Sequence, residues 1–228
     1  MGDLTLGVGF WALAALGLVA AVVYGVYFLR RPPSFLRAFA KTGFMGAFAG
    51  ALILAQAPPP LVLAILFSAA GDFFLAFDKK WVLPLGILAF LATQLLYTLM
   101  FGAIWFFSGD NSPLWPRYGA MALVIATALG FLVWMGPKLK WMALAVVPYA
   151  LAITLMGVAA MWLPWAGWPA SLGALLFLIS DFVLATELFR MPADAPARRV
   201  TAPVVWWTYL AAQILIVTGL ILIVRAGV

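Results

Sequence analysis

The sequence predicts an all-α fold, a polytopic membrane bundle of eight transmembrane helices forming a single domain over residues 1–228. Three observations predict it. Hydrophobic residues make up 67% of the chain, charged residues only 9%, and the mean hydropathy is +1.15, a composition that soluble domains of this length do not tolerate. The apolar residues lie in long unbroken runs rather than in the alternation of a barrel strand. Short polar, Pro-rich or basic stretches punctuate those runs and mark off eight spans.

The first span runs from about Leu4 to Leu29; it lacks a basic leader and follows Asp3, so it reads as a true span rather than a cleaved signal. A basic turn from Arg30 to Arg37 follows, in which Ser34 is placed to cap the second helix. The second span, about Ser34 to Ala55, carries Lys41 and a stripe of Gly43, Gly46 and Gly50, small residues that let helices approach closely in lipid. Gln56 sits at its end as a cap, and Pro58, Pro59 and Pro60 close the hairpin. The third span, about Leu61 to Phe77, is short and holds Asp72; Asp78, Lys79 and Lys80 end it. The fourth, about Trp81 to Phe107, carries Gln94 and Tyr97, and the longest polar loop, Ser108 to Arg117, comes next.

The fifth and sixth spans, about Tyr118 to Met135 and Trp141 to Leu163, flank a Gly-Pro-Lys-Leu-Lys turn at 136–140, and the sixth contains Pro148 and Tyr149. After Pro164–Pro169 the seventh runs to about Phe189 with Ser180, Asp181 and Glu187. A basic loop, Arg190 to Pro203, leads to the eighth, which carries Tyr209 and Gln213 and ends near Val224. The central loop separates two sets of four spans, about 1–107 and 118–228, and the pattern suggests a 4+4 internal duplication.

Composition also excludes chemistry. The chain has no cysteine and no histidine, so disulfides, thiolate ligands, cysteine nucleophiles and the commonest general base are absent. No metal site and no cofactor are read from the sequence. The net charge of +6 reflects topology rather than nucleic-acid binding. Ten basic residues (Arg30, Arg31, Arg37, Lys79, Lys80, Lys138, Lys140, Arg190, Arg198 and Arg199) lie in or beside the odd-numbered loops, against Arg117 and Arg225 on the other side. By the positive-inside rule the odd loops are cytoplasmic and both termini outside, in a cell (inner or plasma) membrane.

Two segments carry the chemistry. Phe67–Ala76 reads FSAAGDFFLA and Phe177–Ala185 reads FLISDFVLA, each with an Asp (Asp72, Asp181) after a small residue and a second acid six positions on (Asp78, Glu187). A charge at mid-membrane depth costs a few kcal/mol even on lenient scales, so it is rare and mostly functional. Asp72 lies roughly 9 Å in depth from Asp78, and Asp181 roughly 13 Å from Arg190, at about 1.5 Å per residue. Lys41, Tyr149, Tyr209 and Gln213 enter from the same basic side, while Gln94 lies nearer mid-membrane. This clustering in depth predicts one cavity opening inward. The duller alternatives are a purely structural Lys41–Asp72 ion pair, and an Asp181 that bonds its own helix or Tyr209. Asp78 and Glu187 lie about 240° round the helix from the key acids and read as interfacial ion pairs beside basic residues.

Taken together, Lys41, the Phe67-Ser-x-x-Gly-Asp72 segment, Gly86 and Phe90, Tyr97, Tyr149 with Met156, Ser180-Asp181-x-x-Leu-Ala185 and Tyr209-x-x-x-Gln213 resemble the YhhN, or lysoplasmalogenase-like, membrane proteins. The resemblance covers most of the chain, from the second span to the end. It departs at Gln94, where family members carry a histidine four residues after the Phe. What the resemblance implies is an integral membrane hydrolase that cleaves the vinyl ether bond of a lysoplasmalogen. A fatty aldehyde and a glycerophospho-ethanolamine or -choline are the products.

Such a reaction begins with proton delivery to carbon and passes through an oxocarbenium ion that water captures. Two carboxyl groups suit it, as in glycoside cleavage. Desolvation keeps a carboxyl group protonated, whereas a neighbouring lysine keeps one ionised. Asp72 and Asp181 are the expected catalytic pair. Lys41, Gln94, Tyr97, Tyr149, Ser180, Tyr209 and Gln213 are expected to bind the lipid, Lys41 through its phosphate. A small-solute or proton-coupled transporter also uses paired intramembrane acids in a duplicated bundle, and a non-catalytic lipid-binding protein is the third reading.

Overall fold

The structure, a computed structural model, describes residues 6–77, 79, 81–108, 115–192 and 194–227. Asp78 and Lys80, and most of the loop from Ser108 to Arg117, lie outside the described residues. Among the described residues the chain forms eight α-helices and no strand. They are α1 (Val8–Val23, continued by a π-helical turn at Tyr24–Phe28), α2 (Phe35–Leu54), α3 (Pro59–Leu75), α4 (Leu83–Phe107), α5 (Trp115–Leu139), α6 (Ala143–Ala160), α7 (Trp168–Phe189) and α8 (Arg198–Arg225). The contacts divide the chain into two compact units, one ending at Tyr97 and the other beginning at Thr98, so α4 contributes to both.

The all-helical expectation holds, and the apolar character with it. Five helical stretches among the described residues are long and apolar enough to cross a membrane: Val8–Phe28, Leu83–Phe107, Trp115–Ala160, Trp165–Phe189 and Arg198–Arg225. Pro59–Leu75 is a shorter apolar helix, and α2 carries Arg37 and Lys41. Trp115–Ala160 is 46 residues long, roughly 70 Å if straight, against about 30 Å of hydrocarbon. It is a hairpin: Lys140 adopts a left-handed φ of 49°, and the Arg117 guanidinium at one end of α5 bonds the Met161 carbonyl beyond the far end of α6. The predicted turn at 136–140 is thereby shortened. α5 runs on through Gly136 and Pro137, since a proline in the last turn removes only one hydrogen bond.

Large apolar side chains such as Val133, Leu144 and Phe107 point outward, while Ser68, Asp72, Thr93, Gln94, Ser180, Asp181 and Gln213 are buried. That arrangement makes sense only where the surrounding solvent is lipid. The chain is a multi-pass membrane protein.

In the first unit α1 packs on α2 and α2 on α3. Ser34 caps α2 as expected, its hydroxyl accepting from the Arg37 amide at 3.1 Å. Of the glycine stripe, Gly43 and Gly50 face α1, where an added Cβ would lie 3.2 Å from Ala20 and from Leu13; Gly46 faces open space. Gln56 ends α2 with a φ of 54°, and the Gln56 and Ala57 amides return to Ile53 and Leu52, a Schellman closure. Pro58 then hands over to Pro59 at the first position of α3, where the missing amide costs nothing. The first half of α4 returns antiparallel along α3, with Gly86 against Leu75 and Gly71 against the Phe90 ring.

In the second unit α7 and α8 are the most intimate pair. Gly167, Gly173 and Gly219 lie so close to Ile223, Ala212 and Ala170 that no Cβ fits at any of them without a shift. The Phe131 ring of α5 stacks on Phe182 of α7 at 4.2 Å. α8 begins at Arg198, five residues before Pro203, whereas the sequence reading left that stretch in a loop.

Candidate functional site

α3 places Ser68 and Asp72 one turn apart, so both project on one face. That face is interior: Asp72 is 1% exposed and Ser68 fully buried. Lys41 of α2 reaches it, with Nζ 3.4 Å from Asp72 Oδ1. An intramembrane carboxylate thus has the cationic partner its desolvation demands. On the other side α4 supplies Thr93, whose hydroxyl lies 3.1 Å from Ser68 Oγ and donates to the Ala64 carbonyl at 3.1 Å. Thr93, Gln94 and Tyr97 all have no exposed surface. The first unit therefore brings Lys41 and Asp72 together, and buries Gln94 and Tyr97 on the helix that packs against α3.

The second unit has its own carboxyl group. Asp181, 8% exposed, accepts a hydrogen bond at Oδ2 from the Tyr149 hydroxyl of α6. The two were expected at one depth, each nine residues from a basic marker. The Tyr209 ring of α8 lies edge-on to Phe177, 5.6 Å away. Ser180 does not point with Asp181; its hydroxyl bonds the Val205 carbonyl of α8 at 2.9 Å, which ties the seventh helix to the eighth just beside the acid. Gln213, one turn beyond Tyr209, is fully buried on the same face of α8.

Two residues are more enclosed by protein than their reading implied. The Glu187 carboxylate, near the end of α7, is buried and accepts from the Thr201 hydroxyl, and Arg198 bonds the Glu187 backbone carbonyl. The cause is the early start of α8, whose first turns cover the end of α7. Arg37, read as a loop marker, is also buried, and its guanidinium donates to the Ala76 carbonyl at 3.0 Å. Its spacing of four from Lys41, one helical turn, was the signal that both face α3. Among the described residues no group of three or more acids gathers as a metal-ligand set.

The same helices carry the match to known proteins. The YhhN family model matches residues 36–220, which include every candidate from Lys41 to Gln213. The chain belongs to the YhhN family. Several relatives of this YhhN chain carry names. A lysoplasmalogenase of Mycobacterium bovis is 29% identical over 228 residues, which cover 92% of this chain and 83% of its own. Lysoplasmalogenase TMEM86B of Sus scrofa is 38% identical over 157 residues, 67% of this chain and 59% of its own. Lysoplasmalogenase TMEM86A of Bos taurus is 29% identical over 179 residues, 73% and 67% respectively. No solved structure matches the YhhN chain significantly.

Proposed function

We propose that this chain is a membrane-embedded lysoplasmalogenase that hydrolyses the vinyl ether bond of a lysophospholipid, with Asp72 and Asp181 as its two carboxyl groups. The observation that carries the reading is the pair of buried intramembrane acids, Asp72 beside the Lys41 ammonium group and Asp181 accepting from the Tyr149 hydroxyl. The names of the relatives support the substrate class.

Asp181 is assigned proton delivery. Its proton goes to the vinyl carbon remote from the ether oxygen, and the adjoining carbon becomes an oxocarbenium centre. Asp72, ion-paired with Lys41, offsets that positive charge and takes a proton from the water that adds there. As the hemiacetal collapses, Asp72 gives its proton to the departing glycerol oxygen and the hemiacetal hydroxyl gives its own to Asp181; the bond between carbon and the glycerol oxygen breaks, the alcohol leaves, and both carboxyl groups return to their starting states. The products are a fatty aldehyde and a glycerophospho-ethanolamine or -choline. Gln94, Tyr97, Ser180, Tyr209 and Gln213 are assigned to lipid binding in this reading, and Tyr149 to orienting Asp181. Lys41, 15% exposed at its side chain, holds Asp72.

Mass spectrometry of the products from purified protein, given matched vinyl ether and ester lysolipids, tests the reading. Aldehyde is expected from the vinyl ether alone. Uptake into liposomes with no product sinks the hydrolase and leaves a transporter, and tight lipid binding with neither outcome leaves a binding protein. Lys41→Met is expected to reduce kcat by about 10²-fold, the loss of one charge-stabilising group. A rise in KM with kcat intact instead makes Lys41 the phosphate ligand.

The topology belongs to the same proposal: eight crossings, basic loops cytoplasmic, both termini outside. The two units support a 4+4 duplication in one specific respect. In each, the acid sits on the third helix of its set and its partner on the second: Lys41 on α2 for Asp72 on α3, Tyr149 on α6 for Asp181 on α7. A cysteine introduced at Ala195, in the 190–202 loop, is expected to resist membrane-impermeant maleimide in intact cells and to react after lysis. Labelling of intact cells reverses the orientation.

A further inference from the structure

We propose that Arg37 is a positioning residue for Asp72, acting through the end of α3; the inference rests on Asp72 being a working carboxylate of the proposed reaction. The contacts form a closed ring. Ser34 holds the Arg37 amide at 3.1 Å, so the start of α2 is anchored. The Arg37 guanidinium donates to the Ala76 carbonyl at 3.0 Å, and the Ala76 amide donates back to the Asp72 carbonyl, also at 3.0 Å. The Asp72 side chain meets Lys41 at 3.4 Å, and Lys41 lies one turn beyond Arg37 on the same helix. Two residues four apart on α2 therefore grip two residues four apart on α3.

The physical need for the grip is local. Ala76 is the C-cap of α3, so its carbonyl has no intrahelical partner and, being buried, no water. Arg37 supplies that partner. Asp72 belongs to this same last turn, so fraying at Ala76 releases the backbone that aims the carboxylate. The placement of the cation argues the same way. Arg37 sits in the first turn of α2, at its positive dipole end, where a cation is unfavourable. It gains instead at the C-terminal end of α3, where a cation is favourable. Arg37 needs no contact with the lipid to matter.

The test uses full-length protein in detergent with a vinyl ether lysophosphoethanolamine, together with an infrared band for Asp72 obtained as wild type minus Asp72→Asn. Arg37→Met is expected to lower kcat by about 10–100-fold, the effect of a misplaced catalytic group, with KM unchanged. It should also move the Asp72 carboxylate band to its position in Lys41→Met. Arg37→Lys, which keeps a donor for the Ala76 carbonyl, is expected to restore most of kcat and the wild-type band. In a Lys41→Met background Arg37→Met should have no further effect on the band. An unmoved band in Arg37→Met overturns the proposal. So does a raised KM with unchanged kcat, or an Arg37→Lys protein no better than Arg37→Met. If Arg37→Met fails to fold, Arg37→Gln in the otherwise wild-type protein supplies the band comparison. Wild type that leaves the lipid intact overturns the proposed function alone, because the infrared arm needs no substrate.

Discussion

Asp72→Asn and Asp181→Asn are each expected to lower turnover of a vinyl ether lysolipid by about 10²–10⁴, the usual worth of acid–base participation. Asn keeps the shape of the side chain but neither delivers nor accepts the catalytic proton. The protein is expected to fold in both cases, for different reasons. At position 181 the Asn amide oxygen still accepts from the Tyr149 hydroxyl. At position 72 the change removes one side of the Lys41 ion pair, and leaving a buried charge uncompensated is the costly half of such a pair. Asp72→Asn is therefore paired with a Lys41→Met, Asp72→Asn double variant, which neutralises both groups. Turnover in the double variant well below that of Lys41→Met alone, with normal thermal unfolding, marks a catalytic role for Asp72. Wild-type turnover in both single variants would falsify the two-carboxylate mechanism, and leave Lys41–Asp72 as a structural pair.

The second large effect is on stability, at the contact between α7 and α8. A Cβ added at Gly219 meets the backbone of Ala170, 2.9 Å from its Cα and 2.6 Å from its Cβ. Neither atom is the movable end of a side chain, so the helices must separate. Overpacking of this kind typically costs 1–3 kcal/mol and occasionally more; Gly219→Ala is expected at about 3 kcal/mol and Gly219→Val beyond it. The separation also reaches the site, because Ser180 is tied to Val205 across the same pair. Gly46→Ala is the control. It has open space within 4 Å and replaces a mid-helix glycine, so it is expected to be neutral or to stabilise by up to about 1 kcal/mol. Thermal unfolding in one detergent distinguishes the two. Equal melting temperatures for Gly219→Ala and wild type would remove the close α7–α8 approach.

Both predictions depend on rotation about a helix axis, and that is where sequence and structure part. The apolar runs, the prolines at 58–60 and 169, and Ser34 as a cap marked the helices, because lipid requires the backbone to satisfy itself locally. The six-residue offset of Asp72 from Asp78, and the nine residues from Lys140 to Tyr149, gave depth, because an α-helix converts residue number into distance at a constant rise. Depth put Tyr149, Asp181 and Tyr209 in one half of the membrane, with Tyr209 or its own helix as the expected partner of Asp181. It did not single out Tyr149, whose hydroxyl donates to that acid.

The family and its two acids were also legible, since intramembrane Asp residues in repeated contexts stand out against apolar sequence. Which neighbour each side chain meets was decided by tertiary packing. Gly43 and Gly50 turn toward α1 while Gly46, in the same stripe, does not. Arg37 reads as a loop charge in the sequence, but α3 ends against it, and the early start of α8 covers Glu187 with Thr201. These outcomes share one cause. The azimuth of a lipid-facing helix is nearly free of sequence signal, because lipid accepts Leu, Val and Phe on every face; only close helix–helix contact and the pairing of buried polar groups select one rotation over another.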